Sequence, residues 1–230
     1  MKKNIIIWGS SFLAKSTIDI IEREKKYNIT CLYNPTLNKQ SKVYNYKVFG
    51  KSNNFAEIIK QKNIEGVIVS IGDNWIRKKE SDFIKSNFPD LIFINAIHPS
   101  VHIGKNVKIG TGTIIMPKVI IGSNTKIGKN CFLGTNSILE HDCVLKDFSS
   151  THTGVIVGGC TKIGECSNLA LGVICFDRID IGDHTVIGAG SLVNKNIPDQ
   201  VIAYGFPVKV VRKRKIGEKY IERVPKLIVD

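Results

Sequence analysis

The sequence predicts an α/β domain followed by a parallel β-helix, and three observations carry that reading. From Ile97 onward an apolar residue recurs at every sixth position, as at Ile103, Ile109, Ile115, Ile121 and so on to Val193, fifteen of seventeen being Ile, Leu or Val and the others Thr151 and Cys175. Four residues after each of these comes a small or β-branched residue, from Val101 to Ile197. Ahead of residue 97 the pattern is different, with short apolar runs alternating with amphipathic stretches.

The first domain, residues 1–96, reads as follows. Asn4–Trp8 is a buried strand, Gly9-Ser10-Ser11 a turn, and Phe12–Lys25 has helical spacing through Leu13, Thr17, Ile18 and Ile21. Ile29–Tyr33 is a second strand, Lys42–Gly50 a loop or short edge strand, and Phe55–Gln61 a helix. Val67–Ile71, Asn74–Lys85 and Leu91–Ile94 follow as strand, helix and strand. Such alternation predicts a small parallel, Rossmann-like sheet covered by helices, with ligands beyond the carboxyl ends of its strands. Those ends are Gly9-Ser10-Ser11, Tyr33-Asn34 and Gly72-Asp73-Asn74. Backbone N–H groups at Gly9-Ser10-Ser11, opening a helix, suit a phosphate. The run is nevertheless not the Gly-x-Gly-x-x-Gly of a dinucleotide site, and a structural tight turn explains it equally well.

In residues 97–198, a period of six is neither the helical period of about 3.6 nor the strand period of 2. It fits a short strand and then a bend. Val101 and Ile103 point inward, His102 outward, and Gly104-Lys105-Asn106 turns the chain. Gly follows nine of the seventeen periodic residues, and Gly and Asn are the residues that accept positive φ. A unit this small cannot bury its own apolar face, so copies must stack. Residues 199–230 read as a basic tail, with Arg212-Lys213-Arg214-Lys215 its densest run.

Composition excludes some function classes. The 230 residues are 43% apolar, enough for a real core. No apolar run is long enough to span a bilayer, and Met1-Lys2-Lys3-Asn4 leads directly into a strand, so a soluble, cytoplasmic protein with no membrane partner is expected. The six Cys show no zinc-ligand spacing, and none lies eighteen residues from another. Reduced thiols and no bound metal are expected. The net charge of +13 suits a phosphorylated small molecule, since the basic run lacks the interleaved aromatics of a nucleic-acid binder.

One corner stands apart. Most bends are Gly-x-Asn or similar, but Glu140-His141-Asp142 puts three titratable groups at one of them. Eighteen residues on, Gly158-Gly159-Cys160 would lie one coil along, leaving space beside His141 and a bare N–H at Gly159. An imidazole with an unperturbed pKa near ~6.5 can take a proton at neutral pH. His141 is thus a candidate general base, Asp142 its orienting partner with Asp147 and Glu140 as rivals, and the Gly159 N–H an oxyanion donor.

The hexapeptide repeat resembles that of left-handed β-helix acyltransferases. The two-domain layout is similar to the NeuD/PglD group of bacterial sugar acetyltransferases. The pieces that carry the resemblance are Ser70-Ile71-Gly72-Asp73-Asn74 with Arg77, Ser137–Cys143 around His141, and Tyr204-Gly205-Phe206-Pro207-Val208-Lys209. It implies a left-handed helix with three hexads per coil, and a homotrimer with active sites between neighbouring prisms. It further implies N-acetylation, by acetyl-CoA, of the 4-amino group of a UDP-, dTDP- or GDP-linked sugar, in cell-surface polysaccharide biosynthesis. By family position, Ser150, Leu171, Ala189, Gly205 and Lys209 would meet the cofactor, and Gly9, Ser10, Ser11, Tyr33, Asn34, Gly72 and Asp73 the nucleotide sugar. This chain departs from the family at Phe12-Leu13, where Gly-His is usual, at Tyr33-Asn34, where acids are usual, and at Ser150, where a second His is frequent. Two rivals remain: O-acetylation of a sialic acid or other sugar, and a metal-dependent enzyme of the γ-carbonic anhydrase type using His141, His152 and His184.

Overall fold

The computed structural model describes residues 2–38 and 41–219. Its first part is a six-stranded sheet built from β1 (Lys3–Trp8), β2 (Tyr27–Asn34), β3 (Ser41–Val43), β4 (Tyr46–Gly50), β5 (Gly66–Val69) and β6 (Ile92–Phe93). The strand order is β3-β4-β2-β1-β5-β6, parallel except where β3 returns against β4. The stretch 42–50 is thus an edge hairpin. Helices α1 (Phe12–Glu24), α2 (Phe55–Lys62) and α3 (Asn74–Asn87) complete the domain. Local chemistry sets their ends. Asn54 accepts from the Ala56 and Glu57 N–H groups and Asp73 from that of Ile76, satisfying donors that a helix start leaves open. Lys25 and Asn63 stop α1 and α2 in the left-handed conformation.

Seventeen two-residue strands follow, one per hexad, from β7 (Ala96–Ile97) to β23 (Leu192–Val193). Each pairs with the strand eighteen residues away, as Ile114 with Phe132 and Ile138 with Ile156, so three hexads close one coil. Three flat parallel sheets result. From Ile115 onward the periodic residue of every hexad is buried, whereas Ile97 and Ile109 are half-buried and Ile103 is 43% exposed at the open first coil. The column four residues on does more than fill space. Thr125 Oγ1 donates to the Glu140 carbonyl (3.0 Å) and accepts from Cys143 N–H (3.2 Å), and Thr161 repeats the arrangement with Phe176 and Ile179. Cys131 and Cys143 occupy the same column and donate Sγ–H to the Lys146 and Gly158 carbonyls, both at 3.3 Å. Burial pushes both thiols up to about 11.

The bends meet the sequence expectation in part, since asparagines such as Asn106 and Asn124 do adopt positive φ. Positive φ falls on the third residue after the periodic one, as at Asn106, Asn124, Asp142 and Cys160, and not on the glycine that directly follows it. The glycines answer a different need. A Cβ on Gly122 would lie 2.6 Å from the Glu140 carbonyl carbon and the His141 nitrogen of the next coil. Close stacking, rather than torsional freedom, selects glycine there.

The three walls of the prism have different outward chemistry. On the first, Ala96, Ile114 and Phe132 pack into the core of the α/β domain beside Ala14, Ile18 and Ile21. On the second, His102, Ile120, Ile138, Ile156, Ile174 and Leu192 form an uncovered and mostly apolar ladder. Ile120 is 42% exposed on it, and Ile156 and Ile174 are each 40% exposed. The third carries Lys108, Lys126, Val144, Lys162 and Asp180. Beyond the last hexad, β24 (Val201–Tyr204) adds to the first wall, and β25 (Lys209–Lys213) folds back antiparallel to it. The first two residues of the basic run, Arg212 and Lys213, thus end an exposed edge strand, and Arg214 is buried against the His184 and Glu218 carbonyls. Residues 220–230 lie outside the described residues.

Candidate active site

His141 stands at the corner where the apolar second wall turns into the lysine-bearing third, with its side chain 61% exposed. Adjacent side chains on a straight strand point to opposite faces. Here Asp142 has φ 58°, which brings its carboxylate to the same side as the ring, and His141 Nδ1 donates to Asp142 Oδ2 at 2.8 Å. That hydrogen bond holds the Asp142 carboxyl below the usual carboxylate range, helped by Asn124 of the coil below. The structure thus pairs His141 with Asp142, not with its rivals Glu140 and Asp147. Asp147 instead accepts from Lys129 N–H at 2.7 Å.

With Nδ1 engaged, Nε2 is the free nitrogen, and it hangs over Gly159. A Cβ added at Gly159 would meet Nε2 at 2.8 Å and Cε1 at 2.9 Å, so the ring occupies the space that any side chain there would need. The expectation of a bare N–H at Gly159 is not met, because that N–H donates to Asp177 Oδ1 at 2.7 Å. Gly159 contributes room; its donor is already satisfied. Asp177, one coil further along, went unnoticed in the sequence because only stacking brings it near.

Ser150 also departs from expectation. It lies on the wall that the α/β domain covers, fully buried, donating to Asn74 Oδ1 (2.6 Å) and accepting from Arg77 Nη2 (3.0 Å). No surface remains there for a cofactor. Arg77 pins the domains together from the same spot. Its Nε donates to the Asn130 carbonyl, Nη2 to that of Phe148, and Nη1 to those of Ile71 and Gly72. Leu171 (57% exposed) and Ala189 lie on successive coils at the corner between the first and second walls, next to Gly172 and Gly190, whose α-carbons face open space. Gly205 and exposed Lys209 sit on the closing hairpin with Phe206, which is 75% exposed.

The strand ends of the α/β domain do converge. Gly9, at φ 120°, approaches the Ser70 carbonyl so closely that a Cβ would come within 2.6 Å of it. Asn34 Nδ2 donates to Ser10 Oγ at 2.8 Å, tying the first two strand ends together. Ser11 caps α1 without a side-chain bond, Asp73 caps α3, and Gly72 faces open space. Tyr33 points elsewhere. Its ring is buried against Trp8 and Phe55, with centroids 4.8 Å away in each case, on the face that α2 and α3 cover. There, with Pro35, Phe83, Phe88 and Glu80, it lines a cavity of about 290 Å³. The spaced aromatics gave no sign of this in the sequence, since they come from four separate elements.

Two other histidines do not join His141. His152 Nε2 bonds Asn168 Oδ1 at 2.7 Å and the ring lies edge-on to Phe132, with burial pushing its pKa down. His184 packs on Trp75, and burial lowers its pKa too. Among the described residues, the His, Cys, Asp and Glu side chains near enough to share one ion are His141, Asp142 and Cys160.

Comparison with known proteins agrees with this layout. The family described as the PglD N-terminal domain matches residues 4–82, and that described as the GMPPB C-terminal domain matches residues 97–205. A mutant of perosamine N-acetyltransferase from Caulobacter crescentus, solved with CoA and GDP-perosamine, superposes with a TM-score of 0.83 at 26% identity, over 91% of this chain and 97% of that one. The acetyltransferase domain of PglB from Neisseria gonorrhoeae shares the fold, with a TM-score of 0.80 at 20% identity over 91% of this chain and 100% of that one. Among curated relatives, a putative acetyltransferase from Schizosaccharomyces pombe is 36% identical over 36% of this chain. Galactoside O-acetyltransferase from Lactococcus lactis is 54% identical over 22% of it. The chain spans 41% and 23% of the lengths of those two relatives. With both family domains in their order and nearly its whole length superposed on a sugar N-acetyltransferase, the chain is similar from end to end of the matched residues to the NeuD/PglD-like sugar acetyltransferases.

Proposed function

We propose that this protein transfers the acetyl group of acetyl-CoA to the 4-amino group of a nucleotide-linked amino sugar, with His141 as general base. The observation that carries the reading is the His141–Asp142 pair poised over the empty Gly159 position. The amine nitrogen attacks the thioester carbonyl, and Nε2 takes the proton that the nitrogen sheds. Asp142 keeps Nδ1 protonated and stabilises the imidazolium. Collapse of the tetrahedral intermediate breaks the carbon–sulfur bond and expels the CoA thiolate, which recovers the proton. The likeness to a perosamine N-acetyltransferase solved with CoA and GDP-perosamine supports this substrate class.

The cofactor lies along the corner of Leu171 and Ala189, with Gly205 and Lys209 at its end, and the nucleotide sugar approaches the Gly9, Ser10, Asn34 and Gly72 strand ends. The working unit is a trimer in which the apolar ladder of each prism meets a neighbour, so that His141 borders a cleft between chains. Uncovered isoleucines on one wall, and on one wall only, support it. No described helix is long and apolar enough to cross a bilayer, and a cytoplasmic location suits acetyl-CoA as donor.

Thiol release from acetyl-CoA, measured across GDP-, UDP- and dTDP-linked 4-amino sugars, tests the proposal. Turnover with one of them is expected, with kcat lowered roughly 10²–10⁴-fold in His141→Ala. Full activity in that variant would remove His141 from the mechanism. Turnover only with hydroxyl sugars would make the enzyme an O-acetyltransferase, as the galactoside relatives are.

A further inference from the structure

Cys160 has no part in the chemistry above, yet it adjoins the reacting group. It lies one coil above Asp142, and its N–H donates to the His141 carbonyl at 2.9 Å. Cys31, Cys131, Cys143, Cys166 and Cys175 are all buried; Cys160 is only half-buried. One donor atom each from His141, Asp142 and Cys160 lies within 4.8 Å of the other two.

We infer that this corner is a seat for a soft divalent cation, Zn²⁺ above all, held by the His141 imidazole, the Asp142 carboxylate and the Cys160 thiolate. Imidazole, thiolate and carboxylate together form a donor set that suits zinc and is poor for Mg²⁺ or Ca²⁺, which require oxygen. Bonds of ~2.0–2.3 Å in a tetrahedral site put ligand atoms roughly 3.2–3.6 Å apart. Closing from 4.8 Å or less therefore requires side-chain shifts of about 1 Å, and the ring and carboxylate are exposed enough to make them. Binding releases the thiol proton, so one proton leaves per ion bound.

An ion held there occupies the imidazole that would accept the substrate's proton. Zinc is thus a reversible inhibitor, a consequence that rests on the reading of His141 as base; binding itself does not. The site is built from neighbouring coils of one chain, so it exists whether or not other chains are present.

The test is a titration of the full-length protein, without CoA or sugar, with Co²⁺ as spectroscopic probe and Zn²⁺ as competitor. One ion per chain is expected, with a near-ultraviolet sulfur-to-cobalt charge-transfer band that Zn²⁺ abolishes and Mg²⁺ does not. Cys160→Ser should lose the band and bind Zn²⁺ at least ten-fold more weakly, and His141→Ala should weaken Zn²⁺ similarly, while both variants keep the wild-type unfolding midpoint within a few degrees. Absence of the band in the wild type, or undiminished affinity in folded Cys160→Ser, would overturn the inference. A second arm follows acetyl transfer. Zn²⁺ should suppress it in the wild type, a chelator should restore it, and Cys160→Ser should need at least ten-fold more Zn²⁺ for the same suppression. If no sugar is acetylated, the proposed activity fails while the titration still decides the cation seat.

Discussion

Gly159 has no side chain, and the imidazole of His141 fills the vacancy. Gly159→Ala should therefore push the ring off Asp142 while leaving the coil intact, since no positive φ is required there. We expect kcat to fall at least ~10-fold, the order of a displaced base, with the unfolding midpoint nearly unchanged by calorimetry. His152 makes a different prediction. Burial lowers its folded pKa, so the unfolded chain binds the proton more readily. Stability from this group is complete above the unfolded value near ~6.5 and is lost as pH falls through the lower folded value. Urea unfolding should show that acid loss, and His152→Phe should reduce it. At this scale the sequence was informative about His141, because a titratable corner among glycine corners is conspicuous. It was not informative about Ser150 or Tyr33. Which wall a second domain covers, and which way a strand's last ring turns, are decided by contacts many residues away.

The hexad is the element that repeats, and its hydroxyl column links one coil to the next. Thr125 both donates to the Glu140 carbonyl and accepts from Cys143 N–H, bracketing the corner that carries His141. Thr125→Val keeps the shape and removes both bonds. Urea denaturation should show a loss of about 1–3 kcal/mol, and kcat should fall as the corner loosens. The strands themselves were legible one by one, since a strict period of six leaves little choice of register. The glycines were misjudged. Sequence reasoning shared positive φ between Gly and Asn, yet the glycine directly after the periodic position has none, because only the stacked structure shows how near the next coil's backbone passes. The side-chain donors of the small-residue column became visible only once carbonyls fifteen residues away were in place.

The whole molecule has one wall covered, one charged and one bare. Ile156 lies on the bare wall at 40% exposure, on the same face as the corner that bears His141. Ile156→Asp should convert the proposed trimer to monomers by sedimentation and abolish acetyl transfer, with the monomer's helical and strand content unchanged by circular dichroism. A variant that remains trimeric and active would place the interface elsewhere. The two-part plan was legible from the change of period at residue 97, whereas the mode of docking was not. Arg77 reaches two backbone carbonyls, those of Asn130 and Phe148, and Ser150 across the joint, which no local pattern announces. A register of eighteen also limits how the chain can grow. Six extra residues ahead of His141 would leave every inward position filled, yet swing the imidazole a third of a turn onto a different side of the tower. Only a gain of a full storey would bring it back above the same neighbours, so length changes upstream of this corner are quantised.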